Sequence, residues 1–283
     1  MSVSAIQSGR WRVGFEASGA GEPVILVHSS VSGRQQWRSL TGELASRFQV
    51  VAVDLFGYGE SSSWPPRRPQ TLTDQAELVL GLFQHLGRRP LALVGHSFGG
   101  AVAMKAALRL GTDLAGLVLL DPNPFYLLAM YGRAAAYAEA AGLRDHVKRY
   151  GAEGRWEVVA ERFADYWNGA GTWAAMPESR RAAFLAALPP NVHEWDGVMN
   201  DTTPLEVWRE IRAQTLLLRA AHTRRPIREL SELLLNAAPG WRLVEIPEAG
   251  HMAPMTRPDL VNPIIVDFLE GLGPGRTGDQ GAR

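Results

Sequence analysis

LVGHSFGGAVAMKAAL, residues Leu93 to Leu108, sets a serine between glycines where an apolar run gives way to an amphipathic one. Leu91 to Val94 reads as a buried strand, and Ala101 to Leu110 as a helix with alanines on its close-packing side. A strand-to-helix turn flanked by residues without β-carbons bends sharply and lifts the Ser97 hydroxyl clear of a sheet. The helix start behind it favours negative charge, so the backbone N–H of Phe98 is a candidate donor to an oxyanion. In a chain with 29 glycines the pattern G-x-S-x-G is weak by itself. The competing reading is an ordinary phosphate-binding turn, although no P-loop lysine follows it.

Outward from this corner, similar runs recur at Val24 to Val27, Val50 to Val53, Leu117 to Leu120, Leu216 to Leu218 and Leu243 to Ile246. They are short, rich in Val, Leu and Ile, and lack polar alternation, which predicts strands covered on both faces and therefore a parallel sheet. Helical patterns over Asp74 to Leu86 and Pro258 to Leu269 lie between or after them. The order predicts an α/β protein with a doubly wound, mostly parallel sheet.

That regularity stops between Asp121 and Thr215, a span too long for a structureless loop. It reads instead as helices over Tyr126 to Ala141, Trp156 to Trp167 and Glu178 to Leu188, broken at Gly169-Ala170-Gly171 and at Pro189-Pro190. The expected organisation is a core over 1–121, an inserted helical cap over 122–212, the rest of the core over 213–272, and a glycine-rich polar tail over 273–283.

Composition narrows the function. With 46% hydrophobic and 20% charged residues the chain has ample material for a core. Lys plus Arg (29) equals Asp plus Glu (29), which argues against nucleic acid or an anionic membrane face and for a neutral small-molecule substrate. The absence of cysteine excludes a disulfide framework, a thiolate nucleophile and a cysteine zinc site. No H-x-x-x-H pair occurs, so neither a metal nor a cofactor is expected. The start lacks a basic segment followed by an apolar one, and no apolar stretch reaches about 18 residues, which predicts a cytoplasmic protein. Nothing in the sequence specifies the oligomeric state.

A serine hydroxyl needs a base to act as a nucleophile near neutral pH. His251, in PEAGHMAP between the strand-like WRLVEI and the final helix, is the best candidate. His85 falls in a helix pattern, His146 and His193 in the insertion, and His96 in the turn itself; His28 reads as shaping a loop and His222 as solvated.

At these residues the chain resembles the α/β-hydrolase superfamily, from about Trp11 to Leu272. The resemblance is carried by HSSVSGRQQW, DLFGYGESS, GHSFGG and EAGHMAP. It implies Ser97 as nucleophile, His251 as general base and the Phe98 N–H as one oxyanion donor. The second donor would be the N–H of Ser30, in a loop where Ser29 takes the usual glycine place. Asp54, Gly57, Gly59 and Ser61 match the family's turn after the neighbouring strand and read as structural.

In the commonest family pattern the third member of the triad is an aspartate after the strand TLLLRA, but this loop reads AHTRRP with Thr223 at that place. Asp121, at the end of LAGLVLLD, keeps the chain order Ser, acid, His, and some members resembling haloalkane dehalogenases carry their acid there. Asp121 is therefore the expected acid and Glu229 the runner-up. Haloalkane dehalogenases and related epoxide hydrolases use an aspartate nucleophile, so serine at position 97 points to acyl transfer to water.

The expected function is a serine hydrolase of carboxylesterase type, cleaving a small to medium, largely apolar ester through an acyl-enzyme. Hydrolysis of a carbon–carbon bond, lactone opening or perhydrolysis would use the same residues. A noncatalytic small-molecule receptor is the rival from another class, favoured by the empty acid loop. Phe125, Tyr126, Trp156, Phe163 and Trp167, with Tyr166 and Trp173, are the candidate substrate contacts, although such stripes also serve as packing faces.

Overall fold

In the computed structural model, residues 2–65 and 67–272 are described. Among them eight strands form one sheet: β1 (Ser2–Ser8), β2 (Trp11–Ser18), β3 (Pro23–Val27), β4 (Gln49–Val53), β5 (Ala92–His96), β6 (Gly116–Leu120), β7 (Gln214–Ala220) and β8 (Arg242–Ile246). Their spatial order is β1-β2-β4-β3-β5-β6-β7-β8. From β4 to β8 neighbouring strands are parallel, whereas β1 pairs antiparallel with β2 and β2 with β4. The fold is an α/β-hydrolase fold with a mostly parallel sheet, as expected.

The six apolar runs are six of these strands. In β3, Ile25 and Val27 face one core while Val24 and Leu26 face the other, so each side chain is buried whichever way it points. Strands β1 and β2 were not among the expected elements. They form an edge hairpin turned at Gly9 (φ 56), and β2 is buried only over Val13 to Phe15, so its sequence never becomes a continuous apolar run.

Helices cover both faces. On one side α1 (Arg38–Leu44) packs near the C-terminal helices; on the other lie α2 (Leu72–Leu86) and α3 (Phe98–Leu110). Helix α2 begins two residues earlier than the periodicity predicts because Thr71 and Asp74 form a reciprocal capping box.

Between β6 and β7 the chain runs through α4 (Tyr126–Met130), α5 (Ala134–Ala152), α6 (Trp156–Asn168), α7 (Thr172–Ala175), α8 (Glu178–Ala187), α9 (Asn191–Asn200) and α10 (Leu205–Trp208). The expected helix over Tyr126 to Ala141 is in fact two, because Gly132 takes φ 73 between them, and the second runs on to Ala152. Helix α9 follows Pro189-Pro190, which reads as a break in the sequence and here starts a new helix. After β7 come α11 (Arg225–Ala237), likewise not among the expected elements, then α12 (Ala253–Thr256) and α13 (Pro258–Gly271). The tail expected over 273–283 lies outside the described residues. Among the described residues no helix is long and apolar enough to cross a membrane.

Candidate active site

Parallel pairing puts the carboxyl ends of β3, β5, β6 and β7 on one edge, with His96 opposite Leu120 and Leu120 opposite Leu218. Loops leaving that edge therefore converge, as they do in open α/β sheets generally. Ser30 follows β3, Ser97 follows β5, Asp121 follows β6, and His251 lies between β8 and α12.

Ser97 takes φ 53 and ψ −116, a conformation that side chains rarely adopt, and its N–H donates to the Leu120 carbonyl at 2.9 Å. The flanking glycines are required by space. A β-carbon on Gly95 would collide with the Gly99 carbonyl, and one on Gly99 with the carbonyls of Val27 and His28. Strand, turn and helix are thus pressed together, and the serine is forced outward.

His251 Nε2 lies 2.9 Å from Ser97 Oγ, and its Nδ1 lies 3.1 Å from Asp121 Oδ2. A carboxylate only accepts, so Nδ1 carries the proton and Nε2 accepts from the serine hydroxyl. Asp121 Oδ1 accepts from the Ala220 N–H at 3.1 Å, and Oδ2 also accepts from the Thr223 hydroxyl at 2.7 Å. All three side chains are buried. Glu229 lies on α11 and makes no hydrogen bond to His251. Above the imidazole, the Trp167 ring is stacked at 4.1 Å between centroids and 28°.

Two further histidines brace this edge. His96 Nε2–H donates to the His251 carbonyl at 2.8 Å, and burial, helped by the neighbouring His251, holds its pKa well below the ordinary value. His28 donates from Nδ1 to the Ser29 carbonyl at 2.7 Å and accepts the Leu55 N–H on Nε2 at 3.0 Å; burial lowers its pKa too. Ser29, in the usual glycine place, turns both its N–H (3.0 Å) and its hydroxyl (2.7 Å) onto Gln36 Oε1. Asp54 accepts the Arg34 N–H at 3.0 Å and pairs with the Arg34 guanidinium, the structural part expected of that turn.

A pocket opens over Ser97, with about 370 Å³ of space between atoms when the open solvent at its mouth is included. Ser29, Ser30, Phe98, His251 and Met252 line it from the core, and Asn123, Phe163, Trp167, Asn191, Glu194, Trp195 and Val198 from the segment between β6 and β7. Neither lysine nor arginine is among the lining residues. Of the candidate substrate contacts, Phe163 and Trp167 face it. Phe125, Tyr126 and Trp156 do not, because packing uses them elsewhere. Phe125 stacks on Trp195 at 5.7 Å, the Tyr126 hydroxyl donates to the Thr203 carbonyl at 2.8 Å, and Trp156 packs on the apolar cluster of the insertion, near Gly151.

Asn123 and Glu194 escaped the sequence reading. The Ser97 proton is committed to His251, so Asn123 Nδ2 faces Oγ as a donor at 3.4 Å, a long contact. Glu194 is buried at 1% exposure; burial raises its carboxyl pKa against the opposing pull of Ser30, Asn191 and Tyr58. The position of Asn123 two residues after Asp121 is a local signal that could have flagged it. Glu194 sits on a helix whose start was read as a break, and nothing local marks it.

Residues 24–264 match the family described as alpha/beta hydrolase family, and the chain belongs to it. An uncharacterized protein of Mycobacterium tuberculosis (strain ATCC 25618 / H37Rv) is 33% identical over 126 residues, 42% of this chain and 36% of that protein. The match thus spans about a third of that relative's length. Lipase LipV of the same strain is 27% identical over 263 residues, 86% of this chain and 91% of the lipase. Among solved structures, a thermophilic esterase from Thermogutta terrifontis is similar, with a TM-score of 0.76 and 27% identity, covering 96% of this chain and 99% of the esterase.

Proposed function

We propose that this hydrolase-family member is a serine esterase acting on small to medium, largely apolar esters through an acyl-enzyme. The observation that carries the reading is the continuous contact Ser97 Oγ, His251 Nε2, His251 Nδ1, Asp121 Oδ2 at 2.9 and 3.1 Å. In this reading residues 122–212 form the cap and 1–121 with 213–272 the core.

His251 takes the Ser97 proton as Oγ attacks the ester carbonyl. Asp121 holds the imidazole in the required tautomer and stabilises the imidazolium, itself steadied by Ala220 and Thr223. The backbone N–H groups of Phe98 and Ser30 receive the negative charge of the tetrahedral intermediate. Collapse expels the alcohol, which takes its proton from His251, and leaves an acyl group on Ser97. Water, deprotonated by the same histidine, attacks that acyl group; a second tetrahedral intermediate then releases the acid and regenerates the serine.

Substrate preference follows from the lining. Phe163, Trp167, Trp195, Val198 and Met252 offer apolar surface, and with no cation to pair it a carboxylate or phosphate on the substrate would meet the Glu194 carboxyl. The receptor alternative drew its support from the empty acid loop, and the contact between Asp121 and His251 removes that support.

The test is labelling and turnover. A fluorophosphonate should modify Ser97, and Ser97→Ala should lose both labelling and hydrolysis of short p-nitrophenyl esters by at least about a thousandfold. Turnover persisting in Ser97→Ala would eliminate Ser97 as nucleophile. Rates across esters, lactones, amides and carbamates would then rank the bond types.

A further inference from the structure

Val31, directly after Ser30, is a β-branched residue at φ 57, where such side chains are strained. Something must hold the backbone there. The Val31 N–H donates to the Tyr58 hydroxyl at 2.9 Å, and that hydroxyl donates to Glu194 Oε1 at 2.8 Å. Glu194 Oε2 accepts from Asn191 Nδ2 at 2.8 Å, and Asn191 Oδ1 accepts the Trp195 indole N–H at 3.0 Å. Every side chain in this chain of bonds is buried, and the Ser30 hydroxyl faces the same carboxyl.

The geometry brackets one peptide group. On one side of Ser30, the Ser29 N–H is fixed by Gln36; on the other, the Val31 N–H is fixed by Tyr58. Between two pinned amides the Ser30 N–H keeps its direction without a hydrogen bond of its own among the described residues. A donor so prepared costs no reorganisation when charge develops, which is where oxyanion stabilisation gains its size. One pin belongs to the core, since Gln36 lies near β3. The other begins on α9, in the insertion.

We propose that Glu194, acting through Tyr58, is a positioning residue for the oxyanion hole, holding the Val31 side of a loop whose other pins, His28 on the Ser29 carbonyl and Gln36 on the Ser29 N–H, lie in the core. Glu194 touches no reacting atom. Its carboxyl orients the phenol, the phenol orients the Val31 amide, and the amide sets the backbone that aims Ser30. The insertion thereby does more than roof the pocket: it holds one side of the charge-stabilising part of the site.

The inference rests on the serine esterase reading, and its test separates the two. Tyr58→Phe removes the hydroxyl, and Glu194→Leu keeps similar bulk and removes both accepting oxygens. Each should lower kcat for p-nitrophenyl acetate by about 10–100-fold, the scale of a misaligned oxyanion donor. For Tyr58→Phe, whose side chain is not among the pocket-lining residues, KM should stay within about twofold. Affinity for an alkyl boronic acid, which adds to Ser97 and places an oxygen in the hole, should fall by the same factor as kcat/KM. A merely structural loss would move the melting temperature without that parallel. The double variant should fall no further than the worse single one, since both changes cut one relay; multiplying losses would overturn the proposal. So would kcat and boronate affinity within twofold of the parent in folded variants while Ser97→Ala is inactive. If Glu194→Leu does not fold, Tyr58→Phe decides alone. Full turnover in Ser97→Ala would refute the esterase reading instead.

Discussion

The Thr223 hydroxyl donates to Asp121 Oδ2 at 2.7 Å, on the same oxygen that receives His251 Nδ1–H at 3.1 Å. The loop after β7, where the commonest pattern of related hydrolases carries the acid, here supplies a hydrogen bond to an acid carried by the neighbouring strand. Two adjacent strand ends thus share one task. Asp121→Asn should lower kcat by roughly 10³–10⁴ with the fold retained by circular dichroism, since an amide at Oδ2 favours the wrong imidazole tautomer. Thr223→Val removes one donor to a charged group and should cost about tenfold. Combining Asp121→Asn with Thr223→Asp should recover part of the lost rate, and no recovery would show that the two strand ends are not interchangeable. Glu229→Gln should leave kcat within about twofold.

Trp167 reaches from the insertion onto the imidazole of His251, rings nearly parallel. Stacking of this kind contributes about 0.5–1.5 kcal/mol. Trp167→Ala should reduce kcat/KM by about 3–10-fold, and Trp167→Phe should restore most of it. Trp156→Ala, outside the pocket lining, should change kcat/KM by less than about twofold while lowering the melting temperature. Steady-state kinetics beside a thermal melt distinguishes these outcomes.

Two glycine substitutions should have opposite signs. Gly99→Ala drives a β-carbon into the carbonyls of Val27 and His28, neither of which can retreat from the sheet, and should cost about 3 kcal/mol or more. Gly142 lies exposed inside α5 with nothing near its missing β-carbon, so Gly142→Ala should stabilise by about 0.5–1 kcal/mol. Urea denaturation of the two variants checks both.

Acid should weaken the fold through His28 and His96, whose pKa values burial lowers. Above the ordinary histidine value of 6.5 neither the folded nor the unfolded chain holds these protons. Below it the unfolded chain takes them up while the folded chain does not, so stability drops as pH falls. Glu194, with its raised carboxyl, contributes in the opposite direction at pH values above the ordinary 4.5. Urea midpoints from about pH 8 to pH 6 should decline. His96→Gln, which can still donate to the His251 carbonyl, should flatten that decline.

The sheet and the position of Ser97 were legible because the signals are local. A strand buried on both faces must be apolar at every position, and a sharp turn needs glycines at fixed offsets, so short windows such as LALVGHSFGG carry the information. Strands β1 and β2 were hidden for the converse reason, since β1 is an edge strand and β2 beside it is buried only over Val13 to Phe15, so neither carries a continuous apolar run.

The chain order of Ser97, Asp121 and His251 and the scarcity of other candidate bases were fixed by the sequence alone, as were the absence of cysteine chemistry and the aromatic residues of the insertion. Which carboxyl meets His251, which aromatic rings face the pocket, and how Glu194 reaches the Val31 amide through Tyr58 were decided only by folding. Glu194 and Tyr58 are 136 residues apart, and a hydrogen bond across that separation leaves no periodicity, spacing or composition by which it can be read. Contacts of that kind follow from the packing of whole elements, and the direction of each side chain is settled only when its neighbours close around it.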